Sequence, residues 1–268
     1  MTARSGSAPL RGIEAVVCDL DGVVYRGAAA VPHAVEVLTE LGLPVLYLTN
    51  NASRSAAEVA QHLVELGLDV SASDVVTSAQ GAADLVARTR PGAAVLPVGG
   101  PGLRIALEEA GLTVVSSAED ADTVVQGYGP RVSASDLAEA SYAVAHGAWW
   151  VATNTDATIP NERGIAPGNG ALVGAVERAV GRGPDTVVGK PNPDLYELAS
   201  ARLGVAADHV LAVGDRLDTD IAGANSAGMP SVLVLTGVST RAEAVGATPD
   251  LRPTYVIEDL RELLKRTG

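Results

Sequence analysis

The sequence has a single cysteine and no apolar run long enough to cross a membrane. Cys18 is the one cysteine among 268 residues, so an intramolecular disulfide is excluded, as is typical of proteins in a reducing cytoplasm. No stretch approaches the roughly 18 consecutive apolar residues of a membrane helix. Residues 1–11 are small and polar, without the apolar segment of a secretory signal. We therefore expect a cytoplasmic protein that does not bind membranes.

Positive charge is also scarce. Lys and Arg number 19 against 32 Asp and Glu, which gives a formal net charge of −13. Nucleic acids and anionic membranes are bound through clustered Lys and Arg, so neither is an expected partner. A protein of this charge that acts on phosphate must gather positive charge locally, from a metal ion, one or two basic side chains and backbone amides.

Short apolar runs rich in β-branched residues alternate with helical patterns along most of the chain. This alternation is typical of a parallel sheet flanked by helices. The runs are continuous, as in strands that are buried on both faces. The sequence thus predicts an α/β protein with a Rossmann-like parallel-sheet core. The predicted strands are Ala15–Cys18, Val45–Thr49, Ala94–Val98, Thr123–Gln126, Trp149–Thr153, Val210–Val213 and Ser231–Leu235.

Two helices have ends that can be located from the sequence. Ser55 and Glu58 form a capping-box pattern that opens a helix ending near Gly67. Asn192-Pro193 predicts an N-cap followed by proline at the first helical position, in a helix that ends at Gly204.

Polar side chains directly follow three of these predicted strands and one further apolar run, Val187–Gly189. Ligands of open parallel sheets bind outside the carboxyl ends of the strands. We therefore expect these side chains to meet at one sheet edge and to form a phosphoryl-transfer site. They are Asp19 and Asp21; Thr49, Asn50 and Asn51; Lys190; and Asp215, with Asp218 and Asp220 close behind.

The chemistry of phosphate esters suggests a role for each group. Asp19 and Asp215 suit Mg²⁺, which prefers oxygen ligands and would make the Asp19 carboxylate usable as a nucleophile. Asp21 is placed to protonate the leaving alkoxide and later to activate water, and its carbonyl is within reach of the metal. Thr49 and nearby amides would hold the transferring oxygens, and Lys190 would supply positive charge to them.

Four segments together resemble the signature motifs of the haloacid dehalogenase superfamily. In order they are Asp19-Leu20-Asp21-Gly22-Val23, Leu48-Thr49-Asn50-Asn51, Gly189-Lys190-Pro191 and Gly214-Asp215-Arg216-Leu217-Asp218-Thr219-Asp220. The resemblance spans almost the whole chain. The Thr-Asn-Asn and Gly-Asp-Arg-Leu forms are similar to subfamily IIA, which contains phosphoglycolate, glycerol-phosphate, pyridoxal-phosphate and nitrophenyl-phosphate phosphatases.

The resemblance implies a set of residue roles and a magnesium-dependent phosphatase with a phospho-aspartate intermediate. An acid at Asp21 fits a phosphatase or a phosphomutase, because family members that cleave carbon–halogen bonds lack it. The implied roles are nucleophile Asp19; acid/base Asp21; phosphate ligands Thr49, Asn50, Asn51 and Lys190; metal ligands Asp19, Asp21 and Asp215; and Asp220 as a supporting residue.

About a hundred residues separate the Thr-Asn-Asn motif from Lys190. We interpret 81–185 as an inserted α/β cap of the C2 type, with the catalytic core in 1–80 and 186–268. Asn154 and Asp156 would bind substrate hydroxyls, although loop capping explains them nearly as well. With few aromatic residues, this segment favours glycerol phosphate or 2-phosphoglycolate over pyridoxal phosphate, a sugar phosphate or a nucleotide.

Other functions remain open from the sequence. A signalling receiver also combines carboxylates, Thr and Lys around magnesium, but it should keep its phosphoryl group. A binding protein that has lost catalysis and a phosphomutase are further alternatives. Related capped phosphatases often pair, so a homodimer is expected. Cys18 is interpreted as a buried apolar residue, and Asp218 as either a surface residue or a supporting hydrogen-bond partner.

Overall fold

The computed structural model describes residues 9–161 and 163–265, so most of the N-terminal segment 1–11, where the sequence indicates no signal, lies outside it. In chain order the strands are β1 (Ala15–Asp19), β2 (Tyr25–Arg26), β3 (Ala29–Ala30), β4 (Val45–Thr49), β5 (Val75–Thr77), β6 (Ala94–Val98), β7 (Thr113–Val114), β8 (Thr123–Gln126), β9 (Trp149–Ala152), β10 (Thr158–Asn161), β11 (Gly164–Pro167), β12 (Thr186–Val187), β13 (Val210–Gly214), β14 (Ser231–Val234) and β15 (Tyr255–Ile257).

The helices connect these strands and are mostly short. They are α1 (Ala34–Glu40), α2 (Ala56–Glu65), α3 (Ser78–Thr89), α4 (Pro101–Glu109), α5 (Ala134–Ala145), α6 (Asn169–Val180), α7 (Asp194–Leu203), α8 (Ala222–Ser226) and α9 (Arg241–Gly246). A π-helical turn, Leu217–Ile221, precedes α8.

The chain divides into two compact units. The first comprises Met1–Thr49, Val59–Val76 and Lys190–Gly268, and the second Asn50–Glu58 and Thr77–Gly189. In these units, the segment Asn50–Glu58 groups with the residues of the predicted insertion.

The first unit is built on a six-stranded sheet in the order β15-β14-β13-β1-β4-β5. β1 runs parallel to both β4 and β13, and β13, β14 and β15 are parallel to one another. The strand order reverses at β1, because later strands are added on both of its sides. Ligands of doubly wound sheets bind at such a reversal, outside the carboxyl ends of the strands. The first unit therefore has its natural site beyond β1 and β13.

The second unit has its own five-stranded parallel sheet, β12-β9-β8-β6-β7, and the antiparallel pair β10–β11. Its core surrounds Trp150, which is fully buried and packs with small apolar residues of α5 and α6. The indole Nε1–H donates to Gln126 Oε1 at 3.1 Å, so the polar atom of this large side chain is satisfied.

The α/β fold and every predicted strand are confirmed, each within one residue at either end. Seven further strands of two to four residues in the described ranges were not predicted, because runs that short carry no readable pattern. The apolar run Val187–Gly189 overlaps β12 at one residue, Val187. The capping box is also confirmed, since Ser55 Oγ accepts from Glu58 N and Glu58 Oε2 accepts from Ser55 N.

The predicted start of α7 is wrong by one residue. The helix begins at Asp194, so Pro193 and not Asn192 occupies the N-cap position. The end is as predicted, because Gly204 adopts the left-handed conformation, with φ of 66°, that terminates many helices. In the described ranges no helix has both the length and the apolar character needed to cross a membrane.

Candidate active site

Asp19 lies where the buried part of the central strand ends. The four preceding residues of β1, Ala15–Cys18, are at most 1 % exposed, which fixes the strand in the middle of the sheet. Asp19 pairs in register with Leu48 of β4, so Thr49, the last residue of that strand, is one position further along the same edge. Thr49 is buried as well. The sheet therefore brings two of the predicted residues to its carboxyl edge.

The chain turns sharply after Asp19 and leaves Asp21 exposed. Gly22 has φ of +82°, a left-handed conformation that side chains rarely adopt, and its N–H donates to the Tyr25 carbonyl at 2.8 Å. The Leu20 carbonyl accepts from Val24 N at 2.8 Å and closes the turn from inside. Asp21 thus projects from a rigid turn into water, which suits a group that must exchange protons.

Asp215 follows β13 directly and is buried. Its Oδ2 accepts from Val238 N at 2.7 Å, and its main-chain carbonyl accepts from Ser239 N at 3.0 Å. Burial raises the pKa of Asp215 to about 6, the charge of Asp220 adds to the rise, and the Val238 N–H partly offsets it. The carboxylate is held in place but is costly to ionise without a cation nearby.

Asp220 holds the loop that carries Asp215. Asp220 Oδ2 accepts from Asp215 N at 3.2 Å and from Arg216 N at 3.0 Å, and Oδ1 accepts from Lys190 Nζ at 2.7 Å. Tyr196 Oη donates to the Asp220 main-chain carbonyl at 2.9 Å. Both carboxylate oxygens are therefore engaged within the protein, which suits the predicted supporting role.

Lys190 is buried between two carboxylates, Asp19 and Asp220. Burial acts to lower the pKa of Lys190, but the two negative charges outweigh it and hold that pKa above its usual value. For Asp19, burial and the charge of Asp220 raise the pKa, against the opposing effect of Lys190. One ammonium thus balances several buried carboxylates incompletely, and a further cation would be stabilised there.

The donor set fits Mg²⁺. One carboxylate oxygen from each of Asp19, Asp215 and Asp220 lies within 4.8 Å of the others. These are hard oxygen donors of the kind that Mg²⁺ prefers. Asp21 is not part of this carboxylate cluster in the described part of the chain, so its predicted contribution to a metal rests on its main-chain carbonyl. With Asp220 engaged elsewhere, the residues that would hold the ion are Asp19 and Asp215.

The predicted delivery of Lys190 by a strand of the catalytic sheet is wrong. The strand before it, β12, pairs with β9 in the five-stranded sheet of the second unit. Lys190 is the residue at which the chain enters the first unit again. Its position in the site comes from the ion pairs with Asp19 and Asp220 rather than from strand geometry.

The remaining predicted residues belong to the second unit, where the structure brings three of them into a network with Asn169. Asn50 Nδ2 donates to Asp156 Oδ2 at 3.2 Å, and Asn154 Nδ2 donates to the Asn50 carbonyl at 2.8 Å. Asn154 Oδ1 accepts from Asp156 N at 3.1 Å, and Asn169 Nδ2 donates to the Asn154 carbonyl at 2.7 Å. Asn51 is exposed, and its Oδ1 accepts from Ser53 N at 2.8 Å.

Sequence reasoning missed residues that shape both units. Thr236–Ser239, which contacts Asp215, comes directly after the predicted strand Ser231–Leu235, so the strand-end rule that found Asp19 could have found it. Tyr196 had no readable signal, because its partner is the main chain of Asp220, 24 residues away. Asn169, the first residue of α6, was not among the predicted site residues.

Two of the sequence interpretations concern residues with no catalytic assignment. Cys18 is buried as expected, and burial raises the pKa of its thiol far above the ordinary value, so it stays protonated. Asp218 pairs with the side chain of Arg216 at 2.7 Å, both side chains being exposed. Hydrogen bonds from Arg216 lower the pKa of Asp218. Asp218 is thus a surface carboxylate.

Comparison with known proteins agrees with this geometry. A family model for haloacid dehalogenase-like hydrolases matches residues 16–113, and a related HAD-hydrolase-like model matches 187–263. D-glycerol 3-phosphate phosphatase of Mycobacterium tuberculosis is 50% identical over 252 residues, covering 93% of this chain and 70% of the relative. Acid sugar phosphatase of Staphylococcus aureus is 38% identical over 258 residues, covering 95% of this chain and 98% of the relative.

A solved structure gives the same result. Glycerol phosphate phosphatase from Mycobacterium tuberculosis, determined in complex with magnesium, superimposes with a TM-score of 0.92 at 49% identity, covering 97% of this chain and 78% of the other. The chain therefore belongs to the haloacid dehalogenase-like hydrolases. Within that family it is a phosphatase, as the sequence predicts.

Proposed function

We propose that this phosphatase hydrolyses a glycerol phosphate in a magnesium-dependent reaction that passes through a phosphoryl group on Asp19. The observation that carries the reaction is the buried cluster in which Lys190 contacts both Asp19 and Asp220, with Asp215 beside them. The choice of glycerol phosphate is supported by the 50% identity to a D-glycerol 3-phosphate phosphatase.

The first step transfers the phosphoryl group to Asp19. A carboxylate oxygen of Asp19 attacks phosphorus, and the bond from phosphorus to the ester oxygen breaks. The exposed carboxyl group of Asp21 donates its proton to the departing alkoxide oxygen, which leaves as the alcohol. The ammonium of Lys190 and the hydroxyl of Thr49 stabilise the charge on the transferring oxygens.

The second step restores the enzyme. The carboxylate of Asp21 takes a proton from water, the water oxygen attacks phosphorus, and the bond between phosphorus and Asp19 breaks. Inorganic phosphate leaves, Asp19 is again a carboxylate and Asp21 is again protonated. Mg²⁺ held by Asp19, Asp215 and the Asp21 carbonyl would supply positive charge that offsets repulsion between the phosphate and the carboxylates.

For substrate choice we propose that residues 81–185 form the cap and that Asp156 accepts hydrogen bonds from the glycerol hydroxyls. Asp156 is half-buried and is fixed by Asn50 and Asn154, so its carboxylate is already oriented. The segment contains four aromatic residues, Tyr128, Tyr142, Trp149 and Trp150, and Trp150 is fully buried in the core. Such a cap favours hydrogen bonding to a small polyol over stacking on a ring.

Cellular context is a further part of the proposal. The single cysteine and the net charge of −13 support action in the cytoplasm on a small metabolite rather than on nucleic acid. We also propose a homodimer, the state expected from the resemblance to capped phosphatases. Light scattering after size exclusion would measure the mass, and a monomeric mass at working concentration would exclude the dimer.

The test is release of inorganic phosphate from a panel of esters, with magnesium or with a chelator. The panel contains both glycerol phosphates, 2-phosphoglycolate, a sugar phosphate, pyridoxal phosphate and a mononucleotide. We expect magnesium-dependent turnover with the highest kcat/KM for a glycerol phosphate, and none for Asp19→Asn. Asp208→Asn is the matched control, an exposed carboxylate just before the opposite end of β13. A higher kcat/KM for another ester would reject the substrate, and stoichiometric labelling without turnover would reject the reaction.

A further inference from the structure

The segment after β14 contacts two parts of the active site at once. We call Thr236–Ser239 the clip. Thr236 Oγ1 donates to the Gly22 carbonyl at 2.7 Å, in the turn that carries Asp21. Val238 N donates to Asp215 Oδ2 at 2.7 Å, and Ser239 N donates to the Asp215 carbonyl. The clip therefore joins the turn of the acid/base residue to a ligand of the metal.

These parts pack without spare room. A Cβ atom added to Gly22 would lie 2.5 Å from Asp215 Oδ2 and 3.2 Å from Gly237 Cα. A Cβ atom on Gly237 would collide with the Asp215 carboxylate. Gly22, Gly237 and the Asp215 carboxylate are therefore closely packed, so a movement of the turn toward the clip would displace that carboxylate.

The Thr236 hydroxyl makes a side-chain hydrogen bond between the clip and the turn that carries Asp21. The turn is satisfied internally by main-chain hydrogen bonds, among them Gly22 N to the Tyr25 carbonyl and Val24 N to the Leu20 carbonyl. Those bonds lie within the turn and do not reach the clip. The hydrogen bond from Thr236 to the Gly22 carbonyl joins the turn to the clip.

We propose that Thr236 is a positioning residue, whose hydroxyl holds the Asp21 turn against Asp215 and so sets both magnesium affinity and the rate of leaving-group protonation. The proposal rests on the proposed magnesium-dependent reaction. Partners that orient metal ligands commonly contribute about 10- to 100-fold to metal affinity or activity. The Thr236 hydroxyl does not contact the metal ligand directly, so we expect its effect on metal affinity and activity to lie at the lower end of that range.

The test compares Thr236→Val, which keeps the shape and removes the hydroxyl, with Thr236→Ser, which keeps the hydroxyl. Direct calorimetry of Mg²⁺ binding is the first readout, because it needs no turnover. We expect Thr236→Val to bind Mg²⁺ about tenfold more weakly and to lose about tenfold in kcat with KM little changed. Thr236→Ser should restore most of both.

Thr240→Val is the matched control. Thr240 lies in the same loop, and its hydroxyl caps α9 by accepting from Glu243 N, so its loss should lower Tm and leave Mg²⁺ affinity unchanged. Wild-type Mg²⁺ affinity in Thr236→Val, or an equal defect in Thr236→Ser, would overturn the proposal. If Thr236→Val does not fold, Thr236→Ala against Thr236→Ser makes the same comparison. Normal Mg²⁺ binding in a wild-type protein that hydrolyses no ester would instead reject the proposed function.

Discussion

The two parallel sheets of this protein differ in the kind of polar side chain that is buried near their carboxyl edges. At the carboxyl edge of the first, three charged side chains are at most 5 % exposed, whereas the second buries three neutral amides to a similar degree. Buried charge costs far more than buried amides unless it is balanced, so a fold keeps it where the reaction needs it. The charged set is Lys190, Asp215 and Asp220, and the neutral set is Gln126, Asn154 and Asn169.

The comparison also separates two ways of fixing a loop. In the first unit, Asp220 orders the Asp215 loop by accepting two main-chain N–H bonds while it balances Lys190. In the second, Asn169 donates to the carbonyls of Gln126 and Asn154 and joins the ends of β8 and β9 without any charge. Among the described residues, the buried charged side chains thus all belong to the first unit.

The largest effect is expected from removing the buried cation. In Lys190→Met the buried carboxylate of Asp220 and the part-buried carboxylate of Asp19 lose their balancing charge, so activity should be abolished and the free energy of unfolding should fall by about 3–5 kcal/mol. Gln126→Met removes a buried amide from the second unit and should cost about 1–3 kcal/mol. Denaturant unfolding with a chelator present measures both. Equal losses would mean that the charged cluster is no more sensitive than the amide network.

Gly237→Ala should act on metal binding more than on folding. The added methyl group collides with the Asp215 carboxylate, so the dissociation constant for Mg²⁺ should rise by at least about tenfold. Gly246→Ala is the control, because a Cβ atom there meets nothing within 4 Å. Calorimetric titration compares the two variants. If Gly237→Ala bound Mg²⁺ with wild-type affinity, the clip would not influence the metal site.

Magnesium affinity should fall in acid. With a pKa of about 6, Asp215 is mostly protonated at pH 5.5, where an ordinary Asp would be ionised, so binding should be about fourfold weaker than at pH 7.5. Because this pKa is raised on folding, the folded protein gains a proton as pH falls through about 6, and the metal-free protein gains stability from this group. Titration calorimetry at the two pH values measures the first effect.

Asp215→Asn is the reference for that measurement. Its residual Mg²⁺ binding should be weak and should lose the part of the pH dependence that belongs to Asp215. Measured with a chelator, the Tm of the wild type relative to this variant should rise as the pH falls through about 6, because the wild type then gains the stabilising proton on Asp215. Magnesium affinity in the wild type that is the same at both pH values would contradict the assignment.

The smallest effect is expected in the second unit. Asp156→Asn should raise KM for glycerol 3-phosphate by about five- to tenfold, as for one lost hydrogen bond, and leave kcat for 4-nitrophenyl phosphate within about twofold. Asp84→Asn is the control, since Asp84 pairs with Arg88 on α3 of the same unit. Steady-state kinetics on both esters checks the outcome. An equal loss of activity on both esters would mean that Asp156 contributes to folding rather than to substrate choice.

Much of the first unit could be predicted because its strands are buried on both faces. Continuous apolar runs located β1 and β4 to within one residue, and the polar residues that follow them, Asp19 and Thr49, lie at the carboxyl edge as expected. The rule worked because a buried strand ends where its polar residues begin.

The rest depends on pairings between distant parts of the chain. Lys190 follows a strand of the other sheet, and no local pattern tells which sheet a two-residue strand will join. The strand-end rule could have located the clip but not its partners, Gly22 and Asp215, which are 214 and 23 residues away in sequence. The start of α7 was misplaced because Asn192-Pro193 matches the usual pattern of N-cap and first helical position, although the helix begins at Asp194.

The central claim is that Asp19 carries the phosphoryl group, and trapping that state tests it most directly. Asp21→Asn cannot activate water, but 4-nitrophenyl phosphate needs no acid to release its leaving group, so the variant should be phosphorylated and remain so. After mixing with magnesium and an acid quench, mass spectrometry of the peptide that contains both residues should place one phosphoryl group on Asp19. Release of nitrophenol with no phosphorylated peptide, or with the group on another residue, would contradict the account.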